Sequence, residues 1–346
     1  MYFLSKMKEV FIFNLLYKWK YLLAILNSKF VKTDKKKLVQ NIIYVAREVD
    51  KDWIFGAKVR RLAKFSSLNA TTYYHNKLRD LPDADGYFFV FHQYFYRAIR
   101  HNPKILTKKN IVMFTHTNWT FSFSKKHVIW CLNRADYVIC LNSAVQRELI
   151  SNGLKKEKTV VLHIASDPNF FYPHQRKEMG AVGFCSAFSE RKNPDLIYAI
   201  IKNMPERNFY IIGKNWEEYE KFDELNSFKN FTYLKNEPYE TYPNLYDKID
   251  VFISASKNEG GPVPLLEAML ANCFPVATKT GFAPDIIKHN INGFLIDDNE
   301  HYSKVLELIR LADKKNVNVR ATVLENSWQN CAKKLDELFL SSNLNC

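Results

Sequence analysis

From residue 41 onward, short apolar runs alternate with stretches of helical character. The runs NIIYVA (41–46), ATTYY (70–74), GYFFVFH (86–92), NIVMFTH (110–116), DYVICLN (136–142) and KTVVLHI (158–164) carry β-branched and aromatic residues with few polar interruptions. Such continuity is expected of strands buried on both faces of a parallel sheet. The clearest intervening helix is 144–152, with Ser143 as N-cap, Gln146 closing a capping box and Gly153 as the stop. A polar, Pro-containing loop spans 165–180, and the alternation then restarts. Strands are expected at 181–187, 208–213, 230–235, 250–255, 274–278 and 293–297, and helices at 194–203, 239–247, 264–271 and 283–288. The stretches 299–313 and 318–340 read as terminal helices.

Two β/α alternations separated by a loop imply two Rossmann-like, doubly wound domains facing a central cleft. The expected boundaries are a basic aromatic segment at 1–38, a first domain at 39–172, a second at 173–318 and a C-terminal helix at 319–346 that crosses back to the first domain. Ligands in such sheets bind beyond the carboxyl ends of the strands.

Composition changes this picture in three places. The 346 residues suit two domains rather than one. The net charge of +14 asks for an anionic partner. Half of that surplus lies before residue 40, where nine lysines oppose Glu9 and Asp34. Lys18 and Lys20 interrupt the apolar run 9–26, which disfavours a spanning helix. A basic aromatic helix there can instead lie on an anionic membrane surface or pack on the domain. The N-terminus lacks the apolar core and small-residue cleavage site of a signal peptide. The expected location is therefore cytoplasmic, peripheral on the cytoplasmic membrane face. The six cysteines have no C-x-x-C spacing and read as small buried hydrophobes. No RNP-like, zinc-finger or helix-turn-helix signature accompanies the charge, so no nucleic-acid partner is expected.

Chemistry concentrates in 250–297. Glu259 and Glu267 stand eight positions apart, with Gly260 and Gly261 leaving a strand and Pro262 and Pro264 opening a helix. Glycines admit a ligand close to the backbone, and a helix N-terminus suits an anion. A carboxylate one turn inside that helix can accept bonds from ribose hydroxyls. Upstream, Arg191 and Lys192 precede a helix opening at Asn193-Pro194, where two cations can neutralise a leaving diphosphate. Asp83-Ala84-Asp85 has D-x-D spelling but follows Pro82 and precedes a strand, so it reads as a turn and not as a metal site.

The Glu-x7-Glu segment, continued as Glu-Ala-Met and followed by PVAT…G…NGFL, resembles the retaining GT-B glycosyltransferases of family 4 (glycosyl transferases group 1). The resemblance implies transfer of a sugar from a nucleotide-sugar donor, with no cofactor and no metal, to a glycan or lipid-linked acceptor. It assigns Glu259 to the reacting sugar and Glu267 to the ribose. Arg191, Lys192, Gly260, Gly261, Pro262, Val263 and Leu266 join Glu267 around the donor. His116, at the end of a strand, falls near the reacting sugar. His92, ending the previous strand, and Trp53 fall to the acceptor or cleft. Asp167, Phe171 and Pro173 match an inter-domain pattern. Pro262 departs from the family's Glu-Gly-Phe-Gly by replacing a glycine whose N–H could serve the ligand. Trp53 stands where the family has a glycine-rich loop. Other readings are a sugar-nucleotide epimerase or phosphorylase on the same fold, or a basic nucleic-acid-binding protein.

Overall fold

The computed structural model describes residues 19, 38–52, 54–75, 78, 80–115 and 125–341. Trp53, His116 and, apart from Trp19 and Leu38, the basic N-terminal segment lie outside them. The chain divides into two compact units. The first takes in the chain up to Cys140, then Val145–Leu162 and Cys331 onward; the second is Leu141–Ala144 with His163–Asn330.

In the first unit, six strands pair in the order β2-β1-β3-β4-β5-β6, all parallel. They are β1 (Asn41–Arg47), β2 (Asn69–His75), β3 (Gly86–Phe89), β4 (Lys109–Phe114), β5 (Tyr137–Cys140) and β6 (Thr159–Val161). Every residue of β3, β4 and β5 is buried, which explains their unbroken apolar spelling. Helices α1 (Ile54–Phe65), α2 (His92–His101), α3 (Lys125–Leu132) and α4 (Ser143–Ser151) connect them. The expected strand 86–92 is cut short at Phe89, and His92 opens α2 rather than ending a strand. Within α4, the expected capping box gives way to other bonds: Gln146 Nε2 donates to Thr159 Oγ1 at 2.9 Å.

In the second unit the order is β12-β11-β10-β7-β8-β9, again all parallel. The strands are β7 (Val182–Cys185), β8 (Phe209–Gly213), β9 (Phe231–Lys235), β10 (Val251–Ser254), β11 (Phe274–Thr278) and β12 (Phe294–Ile296). Between them run α5 (Pro194–Lys202), α6 (Phe222–Asn226), α7 (Tyr242–Tyr246), α8 (Val263–Leu270) and α9 (Ala283–Ile286), and α10 (Tyr302–Asp313) follows β12. Counted from β7, this is the 3-2-1-4-5-6 order of a dinucleotide-binding sheet, and its direction reverses between β7 and β10. The carboxyl ends of those two strands therefore flank a crevice.

The last helix, α11 (Trp328–Leu340), contributes its residues from Cys331 onward to the first unit. Asp336 accepts from Ser66 Oγ and Ser67 N, both at 2.6 Å, and from Ser67 Oγ at 2.8 Å. The Phe339 ring lies 2.8 Å from where a Cβ on Gly86 would stand, so only glycine opens β3 without displacing the helix. Among the described residues, five cysteines are unbridged. Burial pushes the thiols of Cys140, Cys185 and Cys331 up to about 12.

Candidate active site

The loop after β7 carries the two cations. A single 3-10 turn, Glu190–Lys192, ends at Asn193 in the left-handed conformation (φ 60°), and Pro194 starts α5. Asparagine tolerates this backbone better than most residues. The arrangement brings Lys192 back beneath the carboxyl end of β10. There Lys257 N donates to Arg191 O at 2.8 Å, joining the two loops across the switch point.

Glu259 meets both cations. Its Oε1 accepts from Lys192 Nζ in a short contact and from Arg191 Nη1 at 2.8 Å, and Arg191 Nη1 also donates to Asn258 O. The Glu259 and Lys192 side chains are 10% and 16% exposed, whereas that of Arg191 is 53% exposed. Burial works to raise the Glu259 carboxyl. Lys192 and then Arg191 overcome it and hold the group below the usual carboxylate range. A cavity of about 30 Å³ remains between Cys185, Ser186, Lys192, Ser256, Glu259 and Pro262.

Around this cluster the glycine loop is tied at both ends. Glu259 N donates to Thr280 Oγ1 at 3.0 Å, and Asn142 Nδ2 donates to Gly260 O at 2.8 Å. Gly281 adopts φ +58°, with its Cβ position 2.9 Å from Pro262 Cδ, so a side chain there would push the loop. Gly260, Gly261 and Val263 are partly exposed, while Pro262 is buried. Leu266 is fully buried within α8 and serves the core.

Glu267 lies one turn into α8 and is 2% exposed. Its Oε1 accepts from Tyr239 Oη at 2.6 Å and its Oε2 from Tyr246 Oη at 3.3 Å. Phe170 stacks on Tyr239 at 5.4 Å. Near the same loop, Asp285 accepts from Ser143 N at 2.8 Å and pairs with His163 Nε2 at 3.1 Å. Burial raises the Asp285 carboxyl, but the bonds from His163 and Ser143 bring it below its ordinary range.

The structure thus gathers Arg191, Lys192, Glu259 and the 260–263 loop, with Glu267 a turn further on. His92, in the first unit, is fully buried, with its ring stacked on Phe114 at 4.4 Å. Asp83 and Asp85 serve separate local contacts. Asp83 pairs with Lys108 at 2.8 Å, and Asp85 Oδ2 accepts from Gln40 N and Asn41 N where β1 begins. Among the described residues, no group of three His, Cys, Asp or Glu side chains is placed to hold a metal, and no helix is long and apolar enough to cross a membrane.

Sequence reasoning passed over Asn142, Thr280, Tyr239 and Tyr246. The two tyrosines had a visible signal, because seven positions on an expected helix put them on one face. Asn142 and Thr280 carried none, since their partners are backbone groups brought close only by the fold.

Residues 169–327 match the family model of glycosyl transferases group 1. The UDP-Gal:alpha-D-GlcNAc-diphosphoundecaprenol alpha-1,3-galactosyltransferase of Escherichia coli is 25% identical over 254 residues, covering 67% of this chain and 64% of that protein. The lipopolysaccharide 1,6-galactosyltransferase of Salmonella typhimurium is 24% identical over 200 residues, covering 54% of this chain and 56% of that protein. The chain therefore spans less than two thirds of the length of these curated relatives. Among solved structures, Anabaena HepE in complex with UDP superposes with a TM-score of 0.68 at 16% identity, covering 86% of this chain and 99% of that one. The fold is GT-B, with its two Rossmann-like sheets.

Proposed function

We propose that this chain, whose residues 169–327 match glycosyl transferases group 1, transfers a sugar with retention from a nucleotide-sugar to a glycan or lipid-linked acceptor in cell-surface polysaccharide or lipopolysaccharide synthesis. The observation that carries this reading is the convergence of Lys192, Arg191 and Glu259 at the switch point of a 3-2-1-4-5-6 sheet, with buried Glu267 one helical turn away. A diphosphate needs fixed positive charge, and Lys192 and Arg191 supply it once the Glu259 carboxylate they hold is displaced. Glu267, already accepting two hydroxyl bonds from tyrosines, is suited to ribose hydroxyls. The E. coli relative's name specifies UDP-Gal and a diphosphoundecaprenol-linked acceptor, and the Anabaena structure holds UDP, so a UDP-sugar is the first donor to test.

In this reading the leaving diphosphate departs toward Lys192 and Arg191, and the acceptor hydroxyl attacks the same face of the anomeric carbon. The departing phosphate takes the hydroxyl proton, and no metal takes part. Glu259, beside the cations, contacts the sugar, and His116 serves the same reacting sugar. The segment 1–38 holds the protein on the anionic cytoplasmic face of the membrane.

A thermal-shift panel of UDP-, GDP-, ADP-, CMP- and dTDP-sugars tests the reading. A ligand at 100 times its Kd adds about 2.7 kcal/mol of stability. One nucleotide class is expected to stand out, with UDP first. A flat panel, or transfer that inverts the anomeric configuration by NMR, overturns the proposal. Flotation with anionic liposomes, with and without residues 1–38, tests the membrane assignment, and equal binding rejects it.

A further inference from the structure

The carboxylate assigned to the ribose is closed in this structure. Glu267 is 2% exposed, and tyrosine hydroxyls face both of its oxygens. Tyr239 Oη donates to Oε1 at 2.6 Å, and Tyr246 Oη lies 3.3 Å from Oε2. Around them Phe170, Phe171, Tyr239, Tyr242 and Tyr246 form a chain of ring contacts, with neighbouring centroids 5.0–6.3 Å apart. A ribose hydroxyl reaches Glu267 only by taking the place of one already there.

The two tyrosines are held differently. Tyr246 ends α7, is 0% exposed and packs against Phe171, Tyr242 and Phe252. Its hydroxyl also lies 3.3 Å from Pro264 O, so one proton serves two acceptors at the start of α8. Burial pushes its phenol well above the ordinary range, and it stays a donor. Moving this ring would empty a packed core position.

Tyr239 is half-buried and opens the 3-10 turn Tyr239–Thr241 between β9 and α7. The loop that carries it reverses at Asn236 (φ 54°), and Pro238 just before it is exposed. One face of its ring stacks on Phe170, itself half-buried. A turn about its side-chain bonds carries the hydroxyl toward solvent and leaves both α7 and β9 in place. A buried carboxylate stripped of a donor bears a desolvation cost, so the hydroxyl leaves only as another arrives.

We infer that Tyr239 is a positioning residue of the donor site: its hydroxyl holds Glu267 in the free protein and is exchanged for a ribose hydroxyl when a nucleoside diphosphate binds. The inference rests on the reading of Glu267 as the ribose acceptor. It adds that the acceptor is kept paired while the site is empty, and that the nucleotide competes with the chain's own phenol for it.

Calorimetric titration of UDP and of 2′,3′-dideoxy-UDP into the full chain, wild type and Tyr239→Phe, tests the exchange. The substitution keeps the ring against Phe170 and removes only the hydroxyl. UDP should bind the variant about tenfold tighter, the scale of one hydrogen bond to a charged group. The dideoxy nucleotide has no hydroxyl to exchange, and its affinity should change by less than about twofold. Tyr246→Phe, whose bond persists in the complex, should not tighten UDP. Thermal melts read the same exchange from the other side. Without ligand, Tyr239→Phe should melt below wild type; in saturating UDP the two should coincide, because the bond is absent from both complexes. A residue that only supports the fold would lower both melts and leave UDP binding no tighter. Equal or weaker UDP binding to Tyr239→Phe overturns the inference. So does equal tightening of the dideoxy nucleotide, or tightening in Tyr246→Phe instead. UDP binding to wild type that Lys192→Ala weakens secures the donor site by itself, so a failed exchange leaves the proposed function standing. Absence of UDP binding to wild type and variants alike overturns both.

Discussion

Replacing Glu259 with Gln keeps the side chain's shape and removes its charge. Lys192, 16% exposed, then loses a charge-assisted hydrogen bond, a loss of about 1.5–3 kcal/mol. The Arg191 side chain is 53% exposed, so solvent screens its share to about 0–1 kcal/mol. The second unit should melt roughly 3–16 °C lower, at about 2–4 °C per kcal/mol for a domain of its size. Nucleotide binding should move the opposite way. The 30 Å³ beside Lys192 holds about two waters, so a diphosphate reaches the cations only by displacing the Glu259 carboxylate. In Glu259→Gln that competition is gone, and UDP should bind about 10- to 100-fold tighter, the same energy returned as affinity. Turnover should nevertheless fall, because the group assigned to the sugar has been altered. The pH dependence has a definite sign. Burial raises the Glu259 carboxyl and Lys192 with Arg191 lower it further, so its folded pKa lies below the unfolded value of about 4.3. Its contribution is complete above that value and is lost as pH falls through the folded pKa. The stability gap between wild type and variant is therefore full at pH 7 and closes in acid below about pH 4. Calorimetry with UDP at pH 7, alongside thermal melts from pH 3.5 to 8, checks each part. If Glu259→Gln binds UDP no tighter than wild type, or as weakly as Lys192→Ala, the displacement argument fails.

Four other perturbations follow from the geometry. Glu267→Gln should weaken UDP binding by about 1–3 kcal/mol, measured by calorimetry, because the carboxylate is the acceptor for its hydroxyl neighbours. Asn142→Ala releases Gly260 O and should raise the donor KM several-fold in steady-state assays while lowering stability by only about 1 kcal/mol. Lys58, 5% exposed, has its ammonium pushed down to about 8 by burial, so it opposes folding while charged. Lys58→Met should stabilise the first unit by about 3 kcal/mol at pH 7 in denaturant titrations, and the gain should shrink as pH rises from 8 toward 10.5. Transfer activity should survive excess EDTA; activity lost and restored by Mn²⁺ would contradict the assignment of the leaving charge to Lys192 and Arg191.

The sheets were legible because their strands are buried on both faces, so apolar runs such as NIVMF and DVFIS appear unbroken. Strand order was not, since every strand has the same spelling and pairing depends on crossovers that no local run encodes. Of the site, Glu259, the glycines and Glu267 stood out through spacing along one strand–loop–helix unit. Their electrostatic state did not. That Arg191 and Lys192 pair with Glu259 depends on a left-handed Asn193 turning one loop toward another 66 residues away. The strand end expected at His92 was misplaced for a local reason. The apolar run continues past Phe89 into α2, whose first turn is as aromatic as the strand before it, so sequence gives no boundary there.

The closure of the first unit by α11 sets an order of events during synthesis. Ser66 and Asp336 are 270 residues apart, and the ring that seals Gly86 is at residue 339. At typical translation speeds that separation takes about 15–50 s to emerge. The second unit, continuous from His163 to Asn330 apart from four residues made earlier, is complete before the first can close. For that interval β1 and β3, among the most apolar strands of the chain, lack their final cover. A nascent chain of this protein is therefore most exposed to aggregation not when its first strands appear but while it waits for its last turn of helix.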